Sequence, residues 1–407
     1  MPVLRNIGTL YTCAPAGGQG AIHPVPRAAL AWEGDTIRWI GPEDDLPPEF
    51  RGNDEWDAAG RIVIPGLIDC HTHLAFGGWR AQEFEQRLLG RSYLEIARDG
   101  GGIAATVAAT RATSDQVLLA RCLGFLREMA TLGVTAVECK SGYGLDGETE
   151  LRLLRLYRAL AARSGQHLVS TFLGAHAVPP EFRDRREDYV ALLVETMLPA
   201  VAQEKLASFC DVFVEEGAFT VAEARRILGA ARALGLGAKL HADQLSDSGG
   251  ASLAAELGAV SADHLECVSP AGIRELARAG VVAVSLPIAT LYLQQRPLPA
   301  RTLIEAGVPV AVATDFNPGT APSAHLPLAL LLACTLQRMT PAEALKGATV
   351  YAARALALDR ETGSLEPGKR ADFAVLDAES VTHWLYHFRA NACVATVARG
   401  VLMWGAL

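Results

Sequence analysis

Two histidines separated by one residue, His71 and His73, end an apolar run in the order Asp69-Cys70-His71-Thr72-His73. On extended backbone, side chains two apart point to the same face, so both imidazoles can converge on one metal ion. Alone, the pair is a weak signal. A third histidine, His241, and an aspartate, Asp315, end two later apolar runs and complete a set of three imidazoles and one carboxylate. Such a donor set suits Zn2+ and also holds iron. A water completing the site would have its pKa drawn toward neutrality and would supply hydroxide for hydrolysis.

Further reactive groups occupy equivalent positions. The ends of other apolar runs read Glu138-Cys139-Lys140-Ser141-Gly142-Tyr143, Gly174-Ala175-His176, Glu215-Glu216, His241-Ala242-Asp243-Gln244, Asp263-His264 and Asp315-Phe316-Asn317-Pro318-Gly319-Thr320. Five of the ten histidines lie at these points, and only the run ending near Ser285 lacks a strongly ionisable group. Asp315 can take a proton from water and pass it to a leaving group, and His264 or His176 can donate to a developing oxyanion. Each has a plainer reading beside the chemical one. Arg80 can be a surface ion-pair partner, His176 and His264 satisfied core histidines, and Tyr143 a packed loop residue. Glu215 and Glu216 can cap a barrel or tune the charge around ligands.

The elements that would carry these groups show as eight short apolar runs, at 62–68, 134–139, 168–173, 209–214, 237–240, 258–262, 281–286 and 308–313. Runs apolar on both faces suit parallel strands covered by helices. Helix signals lie between them. Thr220-Val221-Ala222-Glu223 and Thr340-Pro341-Ala342-Glu343 are capping boxes, and Ser269-Pro270 opens a helix that Gly280 closes. Leu118, Leu119, Cys122, Leu123 and Leu126 form a helical stripe. Eight strand–helix units predict an α/β fold, a (β/α)8 TIM-type barrel with its reactive groups at the C-terminal strand ends. A doubly wound open sheet is the structural runner-up, but the early glycine-rich phosphate turn it favours is missing. Gly100-Gly101-Gly102 reads as a flexible loop able to close over a ligand. Both chain ends are rich in strand signals instead, at 3–12, at 28–40 with a turn at Glu33-Gly34-Asp35, at 373–376 and at 394–401. The expected organisation is a composite β-domain of residues 1–60 and 361–407 around a barrel of residues 61–360.

Composition narrows the setting. The 407 residues are 50% hydrophobic and 20% charged, with a net charge of −8. No basic stripe is present to track nucleic acid. The longest uncharged apolar run, 326–336, is about half of the roughly 20 residues a bilayer span needs, so no membrane association is expected. Eight scattered cysteines without a Cys-x-x-Cys pair, and a start lacking an apolar leader, fit reduced thiols in the cytoplasm.

The segment from Ile64 to His73 resembles the opening of the amidohydrolase superfamily, and the strand-rich ends resemble the small β-sandwich that superfamily attaches to its barrel. Six further segments narrow the likeness: Phe76 to Arg80, Glu138 to Gly144, Phe172 to Pro179, His241 to Gln244, Ser261 to His264 and Ala313 to Thr320. In order, and over essentially the whole chain, they are similar to members that open the ring of 4-imidazolone-5-propanoate to N-formimidoyl-L-glutamate in histidine degradation. The resemblance implies metal ligation by His71, His73, His241 and Asp315, one zinc or iron ion per subunit, and a homodimer. It also implies substrate contacts from Arg80, Tyr143, His176, Gln244, Asn317, Gly319 and Thr320. Arg80 would hold the propionate through its planar fork. Asn317, with the backbone at Gly319-Thr320, would bond the amidine part of the ring.

Position 244 departs from part of the superfamily, which carries glutamate there. A glutamine cannot act as general base, so proton transfer falls to Asp315 and His264. The same substitution counts against the main alternative, a related deaminase of a nitrogen heterocycle. A non-catalytic binding barrel is disfavoured because all four ligands are present. A strand-end lysine can be carboxylated and bridge two metals in some relatives, but the motif holding Lys140 belongs to a mononuclear site.

Overall fold

The computed structural model describes every residue except Asn53, and the side chains except those of Tyr93, Leu94 and Ala97. One sheet has eight parallel strands in sequence order: Leu67–Asp69, Val134–Lys140, His167–Ala175, Phe209–Val214, Gly237–Ala242, Ser261–His264, Val282–Ser285 and Val310–Val312. Helices intervene, starting where the sequence signals place them. Both capping boxes form, at Thr220/Glu223 and Thr340/Glu343. The helix Pro270–Ala279 starts at a Ser269 cap and ends at Gly280 in the left-handed conformation. The helix Asp115–Thr131 buries Leu118, Cys122 and Leu126.

The sheet curls into a barrel whose first and last strands meet through the backbone just beyond them. Thr72 and Phe316 form a parallel bridge. The amide of His73 donates to the Phe316 carbonyl at 2.8 Å, and the amide of Asp315 to the His71 carbonyl at 3.1 Å. Beside them the Asp69 carboxylate accepts the Thr314 amide at 3.1 Å and its hydroxyl at 2.6 Å. This seam thus places His71, His73 and Asp315 together.

The chain ends build a second, mixed sheet. Val3–Tyr11 lies between Pro24–Glu33 and Ile62–Pro65; Phe373–Leu376, Cys393–Ala398 and Val401–Gly405 follow outward from the latter. It folds over a core of its own, including Leu4, Ile7, Trp32, Phe373 and Val397. The Trp32 indole donates to the Gly400 carbonyl at 3.1 Å, and its ring lies 5.4 Å from Phe373, so strands well apart in the sheet face each other as a sandwich.

Two expected strands divide differently. The apolar run 62–68 splits at Pro65-Gly66, both strand punctuators: Ile62–Pro65 joins the end-built sheet and Leu67–Asp69 begins the barrel. The segment expected as one strand at 394–401 is a hairpin turning at Arg399-Gly400, with φ of 51° and 74°. An arginine at the first turn position hides that signal. All eight cysteines are free thiols. Among the described residues, no helix is long and apolar enough to cross a membrane.

Candidate metal centre and pocket

Four side chains far apart in sequence converge at the C-terminal mouth of the barrel. His71 Nε2 and His73 Nε2 lie 3.4 and 3.5 Å from Asp315 Oδ1, and His73 Nε2 lies 3.4 Å from His241 Nε2. With metal–nitrogen bonds of about 2.0–2.1 Å, the edges of a ligand tetrahedron are about 3.3 Å, so these separations fit one ion. All four residues are buried, and His71 Nε2 has no hydrogen-bond partner within the chain. The donor set therefore fits a metal ion.

The imidazoles are aimed from behind. His71 Nδ1–H donates to Asp263 Oδ2 at 2.6 Å, and His241 Nδ1–H lies 3.0 Å from Asp211 Oδ2. Each bond fixes the tautomer that leaves Nε2 bare for metal. Burial pushes His241 down to about 4, which keeps it neutral. Lys140 Nζ joins these carboxylates, 2.7 Å from Asp211, 3.3 Å from Asp263 and 3.1 Å from Glu138, while Lys239 Nζ lies 2.8 Å from Glu138. Burial disfavours the Lys140 charge, but Asp211, Glu138 and Asp263 outweigh it and hold its pKa above the ordinary lysine value. Two ammoniums against three carboxylates leave one net negative charge, and Asp315 adds a second. A divalent ion balances the group. An anionic, carboxylated Lys140 would stand among three carboxylates, so the ammonium reading holds.

Asp211 and Lys239 escaped sequence reading because each sits inside an otherwise apolar run. Period-two alternation is the signal that reveals them: Lys239 precedes His241 by two residues and pairs in register with Asp211 on the neighbouring strand.

A pocket opens over the metal-directed atoms. Its lining includes His73, Arg80, Tyr143, His176, His241, Gln244, His264, Asp315, Asn317 and Thr320. Arg80 is buried, 3.4 Å from Glu83 Oε2, and its guanidinium packs closely against Gly319. A Cβ at 319 would sit 1.6 Å from Arg80 Nη2, so the position admits only glycine while Arg80 holds this pose. Gly319 thus stands behind Arg80. The other Glu83 oxygen accepts the Gly102 amide at 2.8 Å, which ties down the 100–102 loop and brings Ile103 to the pocket wall.

His176 Nδ1–H donates to the Gly142 carbonyl at 3.0 Å, which leaves Nε2 as an acceptor; its ring stacks 4.9 Å from His73. Asn317 lines the pocket, but its amide is engaged within its own loop. Its oxygen accepts the Gly319 and Thr320 amides at 2.9 and 2.8 Å, and its nitrogen donates to the Asp315 carbonyl at 2.7 Å. It shapes the turn that presents Asp315. Asp243 caps the helix Gly250–Leu257 through the Gly250 and Ala251 amides, and Glu215 accepts the Leu245 amide at 2.8 Å. Sequence reading also missed Phe213, Leu245, Leu293 and Gln295 in the lining. Leu293 ends the helix Pro287–Leu293 and Gln295 lies just past it, some way after the seventh strand end that looked empty.

Comparison with known proteins agrees with this arrangement. The profile of the amidohydrolase family matches residues 62–403. The imidazolonepropionase of Cupriavidus necator is 47% identical over 96% of this chain and 94% of its own length. That of Symbiobacterium thermophilum is 50% identical over 93% of this chain and 90% of its own. Among solved structures, 5-methylcytosine deaminase from Klebsiella pneumoniae shares the fold at a TM-score of 0.75 with 17% identity, covering 100% of this chain and 98% of that one. The chain belongs to the amidohydrolase family and, within it, to the imidazolonepropionases.

Proposed function

We propose that the chain hydrolyses the ring of 4-imidazolone-5-propanoate to N-formimidoyl-L-glutamate, using one zinc or iron ion held by His71, His73, His241 and Asp315. The observation that carries this reading is a buried guanidinium, Arg80, in the same pocket as the four metal-directed atoms. A substrate carrying a carboxylate beside a cyclic amide needs that pairing. The relatives above supply the identity of the substrate.

When bound, the ion lowers the pKa of a water and polarises the ring carbonyl. The remaining work falls to side chains. Arg80, backed by Gly319 and Glu83, receives the propionate through charge-assisted hydrogen bonds. Tyr143, buried on the pocket wall, adds a hydroxyl. His176 offers its bare Nε2 to a ring N–H. Asp315 takes the proton of the attacking water and returns it to the leaving ring nitrogen. His264 donates to the carbonyl oxygen as it gains charge. Gln244 orients the ring but moves no proton, which is why ring opening is favoured over deamination.

The test is spectrophotometric consumption of imidazolonepropionate by protein of known metal content. Arg80→Ala should raise KM by about 10²-fold for the propionate-bearing substrate and far less for an analogue lacking the carboxylate. Equal losses on both would remove Arg80 from that role. Free ammonia without ring opening would point to the deaminase instead.

A further inference from the structure

One buried acid near the pocket has no part in the chemistry above. Glu266 follows His264 by two residues and is 1% exposed. His264 and Leu265 both adopt left-handed backbone, φ 77° and 66°, which turns the chain back so that residue 266 faces the His264 ring. Glu266 Oε2 lies 3.8 Å from His264 Nδ1. Both atoms are buried, and neither has a hydrogen-bond partner within the chain. The gap is too short to admit a bridging water. Bonds of this kind are often long without substrate and tighten in the reacting complex.

The protonation pattern follows from the neighbours. Thr290 Oγ1–H donates to Glu266 Oε1 at 3.0 Å, so the oxygen facing His264 is the one free to carry a proton. No ammonium or guanidinium pairs with Glu266 among the described residues, and a buried carboxyl without a cation takes up a proton. Burial pushes it up to about 8, which agrees. The contrast with the two aspartates behind the metal ligands is direct. Asp263 and Asp211 share the Lys140 ammonium, remain carboxylates, accept Nδ1–H, and leave Nε2 bare. Glu266 lacks such a cation.

We propose that Glu266 is a positioning residue acting through His264: its carboxylic acid donates Oε2–H to Nδ1 and holds the imidazole in the Nε2–H form. That form gives a hydrogen bond to the oxygen that gains charge when the ring carbonyl is attacked. The barrel then contains two kinds of carboxyl–imidazole pair. One leaves a nitrogen bare for metal, and the other leaves an N–H for an oxyanion. The inference rests on the proposed ring opening for its catalytic consequence, but the tautomer itself does not.

The experiment pairs Glu266→Leu, which removes the donor, with Glu266→Gln, whose amide N–H2 still donates to Nδ1. Long-range 1H–15N spectra of zinc-loaded, 15N-histidine-labelled protein read the tautomer, with His264→Asn used to assign the signals. Wild type and E266Q should show His264 protonated at Nε2 and bare at Nδ1, and E266L should lose that preference. In ring opening, kcat of E266L should fall by about 10²-fold with KM and zinc content nearly unchanged, and E266Q should recover most of the loss. A wild-type His264 protonated at Nδ1, an E266Q as impaired as E266L, or an E266L with normal kcat would each overturn the assignment. Wild-type protein with the expected tautomer but no ring opening would instead overturn the proposed function and leave the Glu266–His264 bond standing.

Discussion

Beneath the metal-directed imidazoles, Glu138, Lys140, Asp211, Lys239 and Asp263 are fully buried; in the end-built sheet, Leu4, Trp32, Ile37, Phe373 and Val397 are equally so. The two interiors exclude water alike but hold together by different means. In the sheet, apolar area leaves water and aromatic rings meet edge to face, with Trp32 5.1 Å from Trp56. In the barrel floor, five ionisable groups depend on one another, because each charge costs several kcal/mol to desolvate unless its partners are in place. The sheet is thus built for stability. The floor trades stability for aim, since its carboxylates fix the orientation of His71 and His241.

The contrast can be broken by substitution. Asp315→Asn should cause the largest loss, lowering kcat by about 10³-fold or more, roughly 4 kcal/mol of barrier, together with metal content. Retained turnover, measured with elemental analysis, would remove Asp315 from its role. Lys140→Met leaves three buried carboxylates facing one ammonium and should destabilise the fold by about 3–5 kcal/mol in urea titrations. Asp211→Asn in the same chain should restore part of that stability while metal affinity stays low. Trp32→Ala should cost a similar 3–5 kcal/mol through the cavity it leaves, yet kcat per folded molecule should not change. A fall in kcat would show that the sheet reaches the pocket. The smallest expected effect is Thr220→Ala, which removes an exposed helix cap and should cost about 1 kcal/mol with normal kinetics.

What the sequence disclosed follows the same division. Apolar runs marked the barrel strands, and the reactive residues after them marked the mouth, because both depend on local pattern. The converging residues His71, His73, His241 and Asp315 were legible as strand-end groups. Asp211 and Lys239 were not, since a charged residue within an apolar run acquires meaning only from the strand beside it. Gln295 was invisible for a different reason: it reaches the pocket after a helix has intervened, so no run points to it. Asn317 was legible as a pocket residue but not as the organiser of its loop, because its partners are backbone amides that a sequence does not display. The split at Pro65-Gly66 depended on which of two sheets could pair each half.

The join between the first and last barrel strands has a mechanical meaning. Among the described residues, one isolated bridge at Thr72 and Phe316 links those strands, flanked by the amides of His73 and Asp315. An ion held by His71, His73 and Asp315 would therefore act as the clasp of a bracelet, fastening the cylinder where its own ladder is thinnest. Chelation should loosen the protein along this line first, with amide exchange rising at residues 69–73 and 314–316 before the strands opposite respond.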